Sequence, residues 1–554
     1  MAASPLALNP CPLALWRRLL AAWLSGLMML GALPVQAQTQ SQVRLPSMGE
    51  SASEDLSVGA ERRLGEQIMR EARRDPEYLD DPVLLEYLHS VFSPLVAAAR
   101  QLGNIDADTD RAFAWEPFLV RDRSVNAFAL PGGFIGVHLG MIAITSNADQ
   151  LASVLAHELS HVTQRHIARS IAPQQRASIV ALAAILLGIF AASRSGNADV
   201  ANAAIMGGQG AAIQSQLNFS RDMEREADRV GFGVLTTAGF AASGMAAMFE
   251  KLDVATRLND NGGFPYLRTH PLTTDRISEA RNRTLLNASA PQRLTLLHML
   301  MQARSRVLMA EGNQALQRLA ASGTSPLLVD RVAAQYAGAL ASSMLNDHAG
   351  AEAQATQALQ TAERLAPRQP LAERSLHLLQ AQVRLARGDA PGALQALDAV
   401  PAASSESGTS ARPALLLRAQ ALLVLHRGDR AAAAPGLRES TEALQTWLAE
   451  QPQDPAAWEL AALTSEALGL KLRSMRAAAE ARAVVGDLTG AIDRLRAAQA
   501  ASRTAAGQDF IEASVIDARL RQITALRRQL ALEARGEGRG TPRDSPPEGD
   551  PPPQ

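Results

Sequence analysis

Residues 146–170, SNADQLASVLAHELSHVTQRHIARS, repeat apolar side chains at helical spacing, with Val154, Leu155, Ala156, Leu159 and Val162 grouped around a short polar motif. The pattern predicts a largely apolar, buried helix. Asn147 stands where an N-cap belongs, and Gln150 three residues later suits a capping box. A second helix is predicted over 218–235 (NFSRDMEREADRVGFGVL), heavily charged near its start. Upstream, Gly132-Gly133 reads as a turn and Phe134-Ile135-Gly136-Val137 as an alternating edge strand. From about residue 292 the chain becomes rich in Ala, Leu, Arg and Gln at helical period.

Inside the first helix lie His157-Glu158-Leu159-Ser160-His161. Positions i and i+4 share a helix face, so the two imidazoles can grip one zinc ion, with Glu158 placed to reach a water there. Chance produces this spacing in ~1 of 100 chains of such length, so the motif needs support from elsewhere. Buried histidines and a buried glutamate need partners, and a metal supplies one. A catalytic zinc usually has three protein ligands and one open position. His138, His166 and His270 are candidates for the third, but His166 follows His161 by five residues and is rotated off the shared face. A downstream acid suits better. Glu224 and Asp228 are again i and i+4, Glu224 able to ligate and Asp228 able to hydrogen-bond a ligating histidine. Taken alone, Glu224-Arg225-Glu226-Ala227-Asp228 also reads as a charged, solvated helix face.

H-E-L-S-H followed by S-R-D-M-E-R-E-A-D-R-V-G resembles the M48 family of zinc peptidases, over roughly residues 55 to 285. The resemblance implies a zincin-like α+β metallopeptidase domain with a small sheet. It implies one Zn2+ per subunit held by His157, His161 and Glu224, with Asp228 at the closing position of the motif. Asn126 to Val137 resembles the family's active-site strand, whose edge pairs with extended substrate backbone. Thr269-His270-Pro271, with Arg276 and Ile277 behind, resembles the family's H-P-x-x-x-x-R-I signature. His270 and Arg276 could stabilise an oxyanion; His270 could instead cap the zinc in a resting state. The implied reaction is peptide hydrolysis, with Glu158 taking a proton from water and passing it to the leaving amine.

The ends of the chain place this chemistry. Arg17 and Arg18 precede an apolar run from Leu19 to Leu33, and Val35-Gln36-Ala37 is a small-residue cleavage site, so residues 1–37 read as a signal peptide. Export to a bacterial periplasm follows. Cys11, the one cysteine, would leave with the signal, so the mature chain carries no thiol. A net charge of −1 gives no field drawing the protein to nucleic acid or acidic lipid. Ile179 to Ala192 is an apolar run of about 14 residues, short for a bilayer span, and reads as a buried helix or a peripheral membrane contact. The Gly-rich stretch 193–216 reads as a gating loop or a plain connector.

In the C-terminal half, Gly388-Asp389-Ala390-Pro391-Gly392-Ala393-Leu394 echoes Gly486-Asp487-Leu488-Thr489-Gly490-Ala491-Ile492, with fainter copies at Asp347 and Gly428. Such a turn between amphipathic helices is how tetratricopeptide helix pairs close, although the spacings depart from the usual ~34 residues and leave inserted loops such as Pro401 to Pro413. Stacked pairs build a concave surface that binds polypeptide; a plain helical bundle is the alternative. The expected plan is mostly α: signal peptide 1–37, linker 38–54, peptidase domain 55–290, an α-helical tetratricopeptide-like repeat domain 291–533, and a disordered tail 534–554. An exported M48 domain joined to such helices resembles the periplasmic members that act in outer-membrane barrel assembly. That implies unfolded or misassembled outer-membrane polypeptides as clients and the barrel-assembly machinery as a docking partner. The alternative is a chaperone-like assembly scaffold with a latent or structural zinc.

Overall fold

The computed structural model describes residues 56–170, 220–258, 264–286, 296–322, 325–401, 411–504 and 509–536. The expected signal peptide, the linker 38–54, the apolar run Ile179–Ala192, the Gly-rich stretch 193–216, most of the loop between Pro401 and Pro413, and the tail beyond 536 lie outside the described residues.

The first part of the chain folds as α1 (Val58–Ala72), β1 (Tyr78–Leu79), α2 (Pro82–Gln101), α3 (Ala107–Ala112), β2 (Glu116–Val120), β3 (Ala127–Leu130), β4 (Phe134–His138), α4 (Leu139–Ile144), α5 (Ala148–Thr163) and α6 (His166–Ser170). It continues with α7 (Arg221–Thr237), α8 (Ser243–Leu258), α9 (Tyr266–Thr269) and α10 (Thr274–Leu286). The strands form one mixed sheet in the order β1-β2-β4-β3. β4 runs parallel to β2, with Glu116 opposite Phe134, and antiparallel to β3, with Leu130 opposite Phe134.

This arrangement corrects the reading of Phe134–Val137 as an edge strand. Gly132 and Gly133, at φ +78° and +88°, make the left-handed turn that folds β3 onto one side of β4. β2 takes the other side, and all of Phe134–His138 is buried. The edge is β3. Four residues of alternation cannot separate a half-buried strand from a fully buried one.

α5 lies at the centre, and every residue from Ala148 to Val162 is buried. Asn147 caps its start as the sequence suggests, Gln150 N–H donating to Asn147 Oδ1 at 2.9 Å, while the Gln150 side chain reaches one residue further back than a capping box, accepting from Ser146 N–H at 2.7 Å. The helix is shorter than expected. It stops at Thr163, and Arg165 turns the chain at φ +51° before α6 begins. α2, α7, α8 and β3 pack around α5. Gly244 on α8 and Gly231 on α7 permit the close approaches, since a Cβ would sit 2.5 Å from the Asp149 carbonyl oxygen and 3.0 Å from the Ala156 carbonyl oxygen. α2 is long and apolar enough to cross a membrane by length and composition. Here its Leu84, Leu88, Phe92 and Leu95 are buried core residues.

The rest is helical: α11 (Leu296–Leu308), α12 (Gly312–Ala320), α13 (Leu328–Met344), α14 (His348–Ala362), α15 (Pro370–Ala386), α16 (Ala390–Asp398), α17 (Arg412–Gly428), α18 (Arg430–Glu450), α19 (Pro455–Ala467), α20 (Lys471–Val484), α21 (Leu488–Thr504) and α22 (Phe510–Gly536). Helices here pack on the next in sequence, and several on the next but one, as in stacked helix pairs. The repeated turns share one chemistry. Asp347, Asp389, Asp429 and Asp487 each accept from the backbone N–H three residues on, at 2.9–3.0 Å. Gly388 and Gly486 supply left-handed φ values of +82° and +78°, whereas α17 simply runs on to Gly428.

The largest apolar cluster runs unbroken from Leu79 to Leu417, so the two parts share core. Buried polar pairs reinforce the junction. Arg304 makes a double hydrogen bond to Asp81 at 2.8 and 2.7 Å, Arg374 pairs with Glu86 at 2.9 Å, and Arg412 grips Asp80 and Asp454. Tyr87 Oη lies 2.6 Å from His298 Nδ1, whose Nε2 donates to Thr145 O at 2.9 Å.

Candidate metal centre

α5, α7 and the segment after α9 bring four donors together. His157, His161, Glu224 and His270 are all buried, and one ligand atom from each lies within 4.8 Å of the others. His157 Nε2 is 3.0 Å from His161 Nε2 and 3.3 Å from His270 Nδ1. Glu224 Oε1 is 3.4 Å from His161 Nε2 and 3.0 Å from His270 Nδ1, and its Oε2 is 3.5 Å from His157 Nε2.

The surroundings show that this cluster suits a cation. Asp228 Oδ1 lies 3.0 Å from His157 Nδ1. A carboxylate only accepts, so this ion pair favours a His157 proton on Nδ1 and leaves Nε2 turned toward the cluster. Arg276 holds Asp228 through Nε and Nη2 at 2.7 and 2.8 Å, and its Nη1 reaches Glu224 Oε2 at 2.8 Å. Burial pushes the Asp228 carboxyl up, but its bonds to Arg276 and His157 outweigh this and hold it down at about 2. Burial likewise works against a charged Glu224, yet His270, His157 and His161 hold it well below the usual carboxylate range. Without a metal the two carboxylates draw a proton instead. Burial alone would depress His157, but Asp228 and Glu224 raise it to about 10. Two ring nitrogens 3.0 Å apart with a carboxylate facing both form a donor set that a divalent cation completes.

Glu158 sits beside this centre, fully buried, with Oε1 3.5 Å from His270 Nε2. Burial raises its pKa, the direction that suits a group exchanging protons near neutrality. The Ala129 backbone, on edge strand β3, lies close to the same carboxyl. A pocket of about 150 Å3, lined by Glu224, Arg225, Pro271 and Arg276 among others, borders the cluster.

The family model described as Peptidase family M48 matches residues 86–284. That span contains every residue just described. The chain carries an M48 peptidase domain. Among its relatives, a beta-barrel assembly-enhancing protease of Yersinia pestis is 29% identical over 92% of this chain and 98% of its own length. A Vibrio cholerae protein that bears this name provisionally is 40% identical over 45% of this chain and 49% of its own. Mitochondrial metalloendopeptidase OMA1 of Schizosaccharomyces pombe is 31% identical over 40% of this chain and 60% of its own. The chain thus spans about half the length of the Vibrio relative and nearly all of the Yersinia one. The relatives' names concern barrel assembly and metalloendopeptidase activity, and with the family match they support a metalloendopeptidase.

In this M48 domain the structure gathers all seven residues singled out from sequence: His157, Glu158, His161, Glu224, Asp228, His270 and Arg276. His270 faces the donor cluster, a place from which it could cap a metal. Arg276 directs its guanidinium at Asp228, Glu224 and the Pro271 carbonyl. No motif marks Tyr266, which stacks on His270 with ring centroids 4.7 Å apart. His166 lies outside the donor set, as its spacing suggests, and yet rests against His161.

Proposed function

We propose that this protein is a zinc-dependent endopeptidase of the bacterial periplasm, in which His157, His161 and Glu224 hold the metal and Glu158 moves the proton. The single observation that carries the reading is the convergence of those three donors, with Glu158 buried beside them. Imidazole nitrogens with a carboxylate oxygen are a donor set that zinc favours. Zinc, when bound, supplies Lewis acidity to the scissile carbonyl and acidifies the attacking water. Glu158 accepts the proton of that water and delivers it to the leaving amine. Asp228 fixes the His157 ring, and Arg276 fixes Asp228 and Glu224. Edge strand β3 offers its backbone to an extended substrate. His270 lies against the same three donors, where it would cap the metal in a resting state that substrate entry must open.

We assign residues 55–290 to the peptidase domain and 291–533 to a tetratricopeptide-like domain that captures clients. A cleft of about 560 Å3 between α1 and the last helices, lined by Arg62, Phe134, Trp458, Arg476 and Arg519 among others, supports a role in holding polypeptide. The relatives' names support unfolded or misassembled outer-membrane proteins as clients and the barrel-assembly machinery as a partner, reached after export on the signal peptide 1–37. The closed His270 position favours a second reading, an assembly scaffold whose zinc site stays latent.

Glu158→Gln separates the two. Cleavage of an unfolded polypeptide such as casein should fall by on the order of 10³-fold, with one metal per chain retained. Cleavage at the wild-type rate would end the mechanism. Equal support of barrel assembly in cells by wild type and variant would favour the scaffold.

A further inference from the structure

His166 is fully buried and is not one of the four converging donors, yet both of its ring nitrogens are committed. Nδ1 lies 2.9 Å from His161 Nδ1, and Nε2 lies 3.0 Å from Glu226 Oε2. Arg169 Nη1 donates to the same Glu226 oxygen at 2.9 Å. Proton counting then follows from the far end. A carboxylate paired with a guanidinium is ionised and only accepts, so the proton between Glu226 and His166 belongs to His166 Nε2. A neutral imidazole carries one proton, so His166 Nδ1 is a lone pair. Two ring nitrogens 2.9 Å apart need one proton between them, and that proton sits on His161 Nδ1. His161 Nε2 is then bare, and it is the nitrogen that faces His157 and Glu224. A second proton between the rings would force the His161 proton onto Nε2, against His157 Nε2 at 3.0 Å.

The backbone is bent to make this contact. Arg165 adopts φ +51°, a left-handed conformation that costs a non-glycine residue roughly 1 kcal/mol or more. Arg165 is held there by Glu61 at 3.0 Å and by the Leu56 carbonyl. The turn ends α5 and swings His166 back onto His161.

We propose that Glu226 and His166 form a positioning relay that fixes the tautomer and ring orientation of His161, as Asp228 does for His157. His166 and Glu226 are positioning residues; neither touches substrate. The inference rests on the reading of His161 as a metal ligand. Such outer partners typically change metal affinity by about 10–100-fold.

The test uses the full chain and zinc itself, with affinity read by competition against a chromophoric chelator. His166→Ala should lower zinc affinity by about 10–100-fold while still binding one ion at saturation. His166→Asn, whose side-chain oxygen can accept from His161 Nδ1, should recover most of that loss. In metal-free protein with 15N-labelled histidine, His161 should carry its proton on Nδ1, and Glu226→Ala should disturb that tautomer. The Glu226 side chain is about one-quarter exposed, so its variant serves if His166→Ala fails to fold. Wild-type affinity in His166→Ala, or an unchanged His161 tautomer in Glu226→Ala, would overturn the relay. Loss of the tight site in His161→Ala supports the metal reading; if His161→Ala binds zinc as wild type does, that reading fails, and the relay with it.

Discussion

α5 and the paired helices α13 and α14 fill their buried faces differently. α5 hides Asp149, Gln150, Ser153, His157, Glu158, Ser160 and His161 among its apolar side chains. α13 and α14 hide Ala337, Ala339, Ala341, Ala351, Ala355 and Ala358, which let helices approach closely but can do no chemistry. A buried polar group is costly unless partnered, so each one in α5 points to a neighbour that must exist. Buried alanine reports packing only, and whatever the repeat helices recognise must meet their exposed faces. The junction between the two regions is a third case. Arg304, Asp81, Tyr87 and His298 are buried and polar, but each is satisfied by the others or by backbone.

The sharpest way to break this comparison is Glu224→Ala. If the polar burial of the M48 domain serves a metal, zinc binding should be lost and cleavage should fall by on the order of 10³-fold or more. The helices after residue 296 should keep their far-ultraviolet circular dichroism. Metal analysis with a peptide-cleavage assay checks this, and one tenth of wild-type activity would sink it.

Next in size is the junction. Arg304→Met leaves Asp81 buried without its guanidinium, and removing one partner of a buried pair costs about 3–5 kcal/mol. Denaturant unfolding should show that loss, and replacing Asp81 as well by an apolar residue should restore much of it. A cost under ~1 kcal/mol would mean that the pair is solvated.

How far the site could be read from sequence follows the same division. His157 with His161 and Glu224 with Asp228 were legible because each pair is i, i+4 on one helix, a spacing that geometry converts directly into a shared face. The carboxylate targets of Arg276 were not, because Asp228 lies 48 residues away and no local pattern encodes that contact. His166 stays outside the donor set, as its spacing implies, but its contact with His161 is not legible from that spacing, because one left-handed residue, Arg165, ends the helix and turns His166 back. The strand edge was misplaced because Phe134–Val137 is too short for its alternation to reveal a parallel neighbour. In the repeats, the aspartate caps were legible at Asp389 and Asp487, whereas the core shared with the M48 domain was not, since alanine at helical period does not say which helix it will meet.

A smaller effect concerns acid. Burial pushes His298 down to about 4, and also His138 and His166, from an ordinary value of 6.5. Between about pH 6.5 and 4 the unfolded chain binds protons that the folded chain refuses, so stability falls as pH falls through that window. His298 sits at the junction, and its share should be on the order of 1–2 kcal/mol between pH 6.5 and 5. Urea unfolding at the two pH values should show the fall, and His298→Gln should make it shallower. An equal slope in the variant would remove His298 as a cause.

The mildest perturbation bears most directly on what alanine burial means. Asp389 and Asp487 cap α16 and α21 at equivalent turns, each accepting from a glycine N–H at 2.9 Å. Replacing either by Ala removes one acceptor from a helix start and should cost about 1 kcal/mol. If the repeats are additive units, the double variant should lose the sum of the two, since the turns are far apart in sequence and share no partner. Zinc affinity and cleavage of a short peptide should stay at wild-type values in both, because neither cap touches the M48 site. Cleavage of a folded or stalled client that depends on capture should be the reading that changes, if any does. A fall in short-peptide cleavage after Asp487→Ala would show instead that packing in the repeats is felt through the shared core at α5, and the separation of chemistry from packing drawn from the two regions would no longer hold.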